Sequence, residues 1–97
     1  MIKYLVVDGM LHGTGVRDYY GGGYVQPELL DVSSRLKERL RSWLIKYEEE
    51  HYNNYSNKEK IDELDLEGIN IAKALKEELQ DCKISYYSNA SLQRVDI

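Results

Sequence analysis

Two short apolar runs stand near the two ends of the chain, and each has the pattern of a β-strand. Residues Ile2–Val7 are almost uniformly apolar, which predicts a strand that is buried on both faces. Asp8 and Gly9 then break the run as a turn. Residues Cys82–Tyr87 alternate apolar and polar side chains, which predicts a final strand. A polar tail is expected from Ser88 onward.

Between these strands, two long segments carry apolar side chains on one helical face. The first predicted helix is capped by Ser33 or Ser34 and ends in a link at His51–Tyr55. The second is predicted to open with a capping box, in which Ser56 and Glu59 each accept a backbone N–H. The apolar stripes are Leu36, Leu40, Trp43, Leu44 and Tyr47 in the first helix and Ile61, Leu64, Gly68, Ile71, Ala72, Leu75 and Leu79 in the second.

The order of these elements predicts one domain over residues 1–97, of the α+β or small α/β class. A small sheet formed by the N- and C-terminal strands is expected to pack under the two long helices. Pro27 begins a helical turn through Leu30. Gly68 lies on the apolar stripe of the second helix, which predicts a close approach of another element there. Asp81 is expected to end that helix.

A glycine- and tyrosine-rich loop follows the first strand. Five of the seven glycines lie between positions 13 and 23, and Gly9 precedes them, so the local backbone needs unusual dihedral angles or a close approach. Gly21–Gly23 leads into Tyr24–Val25, which indicates a further short strand. Three of the nine tyrosines lie in this loop, which indicates a surface that presents something to a partner.

Charge and composition narrow the classes of function. The formal net charge of −4 disfavours nucleic acid as a partner and favours a basic protein. The single cysteine, Cys82, fits a reducing compartment, which together with the absence of a signal-peptide pattern predicts a cytoplasmic protein. No apolar run approaches the roughly 20 residues that a membrane-spanning helix needs, so no membrane contact is expected.

Three possible chemical sites lack essential parts. Asp8-Gly9 after a strand resembles the start of a phosphatase motif, but Met10 replaces the second aspartate. The segment 13–15, Gly-Thr-Gly, lacks the ending of a phosphate-binding loop. His12 and His51 stand far apart in the sequence and lack further metal ligands at suitable spacing. We therefore expect no catalytic residue, metal or cofactor.

The acidic stretch from Glu48 to Glu67 offers the strongest indication of a binding surface. It holds eight carboxylates against Lys58 and Lys60. A solvated helix face explains those at the start of the second helix, but Glu48–Glu50 fall at a helix C-terminus, which prefers cations. Tyrosines interleave with these acids, as in protein-binding surfaces. A solvated face and an interface both stay open as explanations.

Three hypotheses follow. The first is an acidic protein inhibitor that plugs the active site of a basic enzyme. The second is an enzyme or small-ligand binder that uses Asp8, His12, Arg17 and Asp18 in a pocket at the strand end. The third is a homo-oligomeric interaction module. The predicted partner-contact residues are Tyr47, Glu49, Glu50, Tyr52, Tyr55, Asp62 and Asp65, followed by Arg17, Asp18, Tyr19, Tyr20 and Tyr24 in the loop.

Charge reversal is expected to separate the first hypothesis from the others. Reversing Glu49, Glu50 and Asp62 should weaken partner binding and leave the fold intact. Replacing Asp8 or Asp18 should abolish turnover if the chain is instead an enzyme.

The overall character of the chain also resembles a known class of proteins. The chain is similar to small acidic bacterial proteins of polymorphic toxin systems. The likeness lies in Val7-Asp8-Gly9, the 13–18 segment, Gly22–Val25 and Pro27-Glu28, followed by Trp43 and Tyr47. Specifically, it resembles immunity proteins of contact-dependent growth inhibition. The likeness covers most of the chain and assigns no residue a role. It implies binding and blocking a cognate toxin domain, often a nuclease, inside the producing cell.

Overall fold

A computed structural model of the chain describes residues 3–97, so Ile2 of the predicted first strand lies outside the described residues. The fold is α+β, as predicted, with a four-stranded mixed sheet and two long helices. The elements are β1 (Lys3–Asp8), β2 (Val16–Asp18), a 3-10 turn (Pro27–Leu29), α1 (Ser34–Tyr52), α2 (Lys58–Leu79), β3 (Cys82–Ser88) and β4 (Gln93–Asp96).

The sheet has the strand order β2-β1-β3-β4. The two strands predicted near the chain ends, β1 and β3, pair in parallel at its centre, with Val7 opposite Tyr86. The outer strands β2 and β4 pair antiparallel to their neighbours. Because parallel neighbours need a long crossover, the helical pair α1 and α2 forms the connection between β1 and β3.

The core lies between the sheet and the two helices, and the predicted helical stripes supply most of it. Trp43 and Tyr47 of α1 have no exposed surface, and Ile71 of α2 has none either. A Cβ atom added at Gly68 would collide with the ring of Tyr86 and lie 2.9 Å from Trp43. The predicted close approach at Gly68 is therefore confirmed.

The start of α1 agrees with the prediction from the sequence. Ser33, one of the two predicted caps, accepts the N–H of Leu36 at 3.2 Å. At its other end the helix continues through His51 to Tyr52, so the prediction that the link begins at His51 is wrong.

The predicted capping box at Ser56–Glu59 is wrong. The cap of α2 is Asn57, whose side-chain oxygen accepts the N–H of Lys60 at 3.2 Å. The connection from α1 passes through Asn54 and Tyr55, both with positive φ (57° and 54°). This reversal of the chain brings the residue after Ser56 into the capping position. The helix ends at residue 79, two residues before the predicted Asp81.

The second strand lies earlier in the chain than predicted. β2 occupies Val16–Asp18, and the predicted strand at Tyr24–Val25 is reduced to one bridge opposite Arg17. A tight turn explains the difference: Gly22, at φ +75°, donates its N–H to the carbonyl of Asp18 at 2.7 Å. Glycine suits this position because left-handed backbone costs it little.

The prediction of a trailing polar tail after Ser88 is wrong. The N–H of Leu92 donates to the carbonyl of Ser88 at 2.8 Å, and this turn folds the chain back as β4. Val95 of β4 then lies opposite Tyr86. All four β4 residues are exposed, so the strand lacks the buried side chains that mark a strand in a sequence.

Candidate binding surfaces

Two residues of the predicted acidic contact surface form an internal polar cluster. Asp65 accepts hydrogen bonds from the hydroxyls of Tyr47 at 2.9 Å, Tyr86 at 2.6 Å and Ser88 at 2.9 Å. Tyr47 has no exposed surface. This cluster joins α1, α2 and β3 beneath the surface, so Tyr47 and Asp65 serve the scaffold, and their prediction as contact residues does not fit their positions.

The buried tyrosine hydroxyls make the fold sensitive to alkali. Burial raises the pKa of Tyr47 to about 12 from its ordinary value of 10.0, and burial also raises the pKa of Tyr86. In the unfolded chain both hydroxyls ionise near pH 10, so the unfolded state releases protons first. The contribution of these neutral hydroxyls to the free energy of unfolding is fully present below about pH 10 and is lost as the pH rises toward 12.

We expect the free energy of unfolding to fall by about 2 kcal/mol between pH 10 and pH 12 from Tyr47 alone. Urea unfolding at a series of pH values measures it, with Tyr47→Phe as the comparison because that variant lacks the ionising group. Equal pH slopes for the wild type and Tyr47→Phe would contradict the assignment.

The three glutamates at the end of α1 have different surroundings, which explains their unusual place at a helix C-terminus. Glu48 accepts the backbone N–H of His12 at 3.2 Å and ties the glycine loop to the helix. Glu50 is 3% exposed and lies 3.9 Å from the Lys60 ammonium group. Of the three, only Glu49 is exposed. The prediction that Glu50 can be reversed without harm to the fold is therefore wrong, since burying an unpaired charge is costly.

Tyr55 belongs to the packing of the turn between the helices. Its hydroxyl lies 3.0 Å from Nδ1 of His51, and its ring packs against Tyr47 with ring centres 6.1 Å apart. The side chain is half-buried, and burial raises its pKa. Of the predicted contact residues at this end, the exposed ones are Glu49, Tyr52 and Asp62.

We use the name acidic end for the exposed residues around the turn between α1 and α2. Tyr52 is 71% exposed, and the four exposed acidic side chains of residues 49–63 outnumber the two lysines there. One ion pair, Lys58–Asp62 at 3.3 Å, is fully exposed to solvent and so holds its members weakly. The acidic end comprises Glu49, Tyr52, Glu59, Asp62 and Glu63.

Two of the polar groups proposed for an enzyme, Asp8 and Arg17, form an ion pair with each other. Asp8 is 2% exposed and forms an ion pair with Nε of Arg17 at 3.2 Å. It also accepts a hydrogen bond from the Tyr24 hydroxyl at 2.8 Å. Burial and the bond to Asp8 raise the pKa of Tyr24. Asp18 is also occupied, since it accepts the N–H groups of Tyr20 at 3.0 Å and of the following glycine at 3.3 Å.

A cleft of about 620 Å³ lies at the other end of β1, away from this loop. Its lining includes Tyr4, Lys83 and Ile97. The loop groups that an enzyme would use therefore do not line this cleft. Across residues 3–97 there is no group of three or more side chains able to hold a metal ion.

The second predicted surface, in the loop, belongs to a larger face of the sheet. Successive strand residues point to opposite faces. Leu5 and Val7 join the core under the helices, so Tyr4, Val6 and Asp8 lie on the outward face. By the register of β2, Arg17 also lies on this outward face, opposite Val6.

Three tyrosines form a stacked cluster on this outward face. The rings of Tyr4 and Tyr19 stack with centres 4.3 Å apart, and Tyr20 meets both rings edge-on. Arg94 of β4 lies over the Tyr19 ring, with its guanidinium carbon 5.6 Å from the ring centre. Asp96 accepts a hydrogen bond from the Tyr4 hydroxyl at 3.3 Å. We call this surface, with its neighbouring arginine, the tyrosine face; its members are Tyr4, Arg17, Tyr19, Tyr20, Arg94 and Asp96.

Three members of this face are not among the predicted contact residues. Tyr4 belongs to the first predicted strand, and Arg94 and Asp96 belong to the expected polar tail. One apolar residue, Val95, between two charged ones is too short an alternation to predict this edge strand. Tyr24, predicted as exposed, is half-buried instead, because its hydroxyl is bound to Asp8.

A family model described as Serratia CdiI immunity protein-like matches residues 11–89, well over half of the chain. No curated protein and no solved structure shows a significant match. The matched range contains α1, α2 and most of the glycine loop. Neither long helix, within residues 3–97, has the length and apolarity that crossing a membrane requires.

Proposed function

The chain belongs to the Serratia CdiI immunity protein-like family, and on that premise we propose that it binds a cognate toxin domain and covers its active site. Such a protein acts by occupying a surface and needs no catalytic groups of its own. The observation that supports this mode of action best is the acidic end, where the exposed Tyr52 and four exposed carboxylates lie on the two helix ends that flank one turn.

The charge of the acidic end favours a toxin with a basic active site, and we propose a nuclease. An enzyme that binds a phosphate backbone does so with lysine and arginine side chains. The carboxylates of Glu49 and Asp62 would compete with phosphate groups for those cations. Opposite charge also accelerates association, which suits a protein that must capture a toxin before it acts.

The enzyme alternative has less support. Asp8, Arg17 and Asp18 are held by hydrogen bonds and an ion pair inside the loop. A general acid or base needs a free group within reach of a substrate. We therefore assign these residues to the loop's structure.

Charge reversal at the acidic end tests the proposal. Glu49→Lys and Asp62→Lys should each weaken binding to the toxin domain encoded beside this chain by about tenfold, because each creates repulsion against a basic surface. Isothermal titration calorimetry at low and high salt measures the effect. The difference between variant and wild type should shrink at high salt, since salt screens exposed charges.

Glu77→Lys is the matched control. It makes the same change in net charge on the same helix, and Glu77 is exposed near the opposite end of α2. Fifteen residues of helix separate it from Asp62, about 22 Å. If Glu77→Lys weakens binding as much as Asp62→Lys, the effect belongs to net charge and the acidic end is not the contact. If the wild type does not bind the toxin domain, the proposed function itself fails.

A further inference from the structure

The tyrosine face carries the opposite charge from the rest of the molecule. Arg17, Lys83 and Arg94 lie on the outward side of the sheet by strand register. Of the two acids on that side, Asp8 is buried and pairs with Arg17 at 3.2 Å, and Asp96 pairs with Nε of Arg94 at 3.6 Å, which leaves the charge of Lys83 uncompensated among these five side chains. This side of the sheet therefore carries one net positive charge, within a chain of net charge −4.

The side chains of the tyrosine face also pack against one another in the unbound chain. Val6 and Ser85 lie on the outward side of the two central strands, yet they are 1% and 0% exposed. Both long helices pack against the other side, so residues of the outward side cover them. Within the tyrosine face, Tyr4 stacks on Tyr19 with ring centres 4.3 Å apart and Arg94 lies over the Tyr19 ring, so these side chains already contact one another. Side chains that are already ordered lose little conformational entropy on binding.

Exposed tyrosine and arginine are the side chains that contribute most to protein–protein affinity. Here Tyr20 is 71% exposed and Tyr19 is 45% exposed, next to Arg94. The Tyr20 ring meets Tyr4 and Tyr19 edge-on and stays largely open to solvent. The composition and the order of this face together favour a binding surface.

We propose that the tyrosine face is a second contact surface for the same toxin and receives an acidic segment of it. This inference rests on the proposed function. A second copy of the chain is a poorer occupant, because two such faces would bring two surfaces of net positive charge together. Nucleic acid is a poorer one as well, because the net charge of −4 opposes a polyanion.

Two single variants test the second surface. Tyr20→Ala removes an exposed ring, and Arg94→Glu reverses the charge that an acidic segment would meet. Each should weaken binding to the toxin domain by about tenfold, and the loss in Arg94→Glu should diminish at high salt. Far-UV circular dichroism and urea unfolding establish that both variants keep the fold.

The matched controls are Leu29→Ala and Arg39→Glu. Leu29 is 79% exposed on the 3-10 turn, and Arg39 is exposed on α1, so they repeat the loss of apolar surface and the charge change elsewhere. Neither should alter binding by more than about twofold.

The outcomes separate the two proposals. If Glu49→Lys weakens toxin binding but Tyr20→Ala and Arg94→Glu bind like the wild type, the second surface is overturned and the proposed function stands. If the wild type binds no toxin, both fail. Sedimentation of the chain alone and a gel shift with single-stranded RNA complete the test. Dimers that dissociate in Tyr20→Ala, or RNA binding lost in Arg94→Glu, would overturn the assignment to an acidic toxin segment.

Discussion

Replacing Asp65 by alanine is expected to lower the free energy of unfolding by about 3 kcal/mol. The substitution removes the acceptor shared by the hydroxyls of Tyr47, Tyr86 and Ser88. Two of these donors belong to residues with at most 1% exposure, so water reaches them poorly and they lose hydrogen bonds to a charged acceptor. Urea unfolding followed by tryptophan fluorescence measures the loss, because Trp43 lies beside both tyrosine rings.

Asp62→Ala is the control for this experiment. Asp62 stands three residues earlier on α2, where its side chain is exposed and forms an exposed pair with Lys58. We expect a change below about 0.5 kcal/mol. The two aspartates also have opposite expected effects on function: Asp62 should affect toxin affinity and Asp65 should affect stability. If Asp65→Ala weakened toxin binding and left stability unchanged, Asp65 would be a contact residue and its structural role would be refuted.

Gly68→Ala is expected to lower the free energy of unfolding by about 2 kcal/mol, although alanine favours helix more than glycine does. Helix propensity alone would stabilise the variant by about 1 kcal/mol. Against this, the added methyl group would collide with Tyr86 and press on Trp43. Trp43 is fully buried and donates to the carbonyl of Leu64 at 2.8 Å, and the Tyr86 hydroxyl is bound to Asp65, so neither ring can move freely.

Overpacking a core typically costs about 1–3 kcal/mol, and a close contact with two held rings belongs at or above the upper limit. The packing cost therefore exceeds the gain in propensity. Asn70→Ala on the same helix is the control, because Asn70 is exposed and only propensity acts there. It should stabilise the protein by a few tenths of a kcal/mol. A Gly68→Ala variant more stable than the wild type would show that the two rings repack.

The sequence indicated which sides of the helices are buried. The stripes of α1 and α2 follow the helical repeat, and the structure places them against the sheet. The pattern is informative because each long helix has one buried side, so burial recurs every three to four residues. The central strands were also visible, since β1 is apolar along most of its length and β3 alternates.

The sequence did not predict the two edge strands. β2 has three residues, and its pairing depends on a glycine turn that brings Tyr24 next to Arg17. β4 is exposed at every position and therefore carries no burial pattern. Both strands owe their positions to hydrogen bonds with a neighbour, which local periodicity does not record.

The candidate binding surfaces were also only partly predictable from the sequence. The sequence alone determined the fold class, the helical stripes, the concentration of acid near residues 48–67 and the general resemblance to immunity proteins. Only the tertiary structure distinguished the exposed Glu49 from the buried Glu50, because the direction of a side chain depends on how its helix packs against neighbours. Only the sheet register brought Tyr4 together with Arg94 and Asp96, which lie about ninety residues away along the chain. Local patterns report whether a segment is buried, whereas a binding surface is defined by residues that are distant in sequence and adjacent in space.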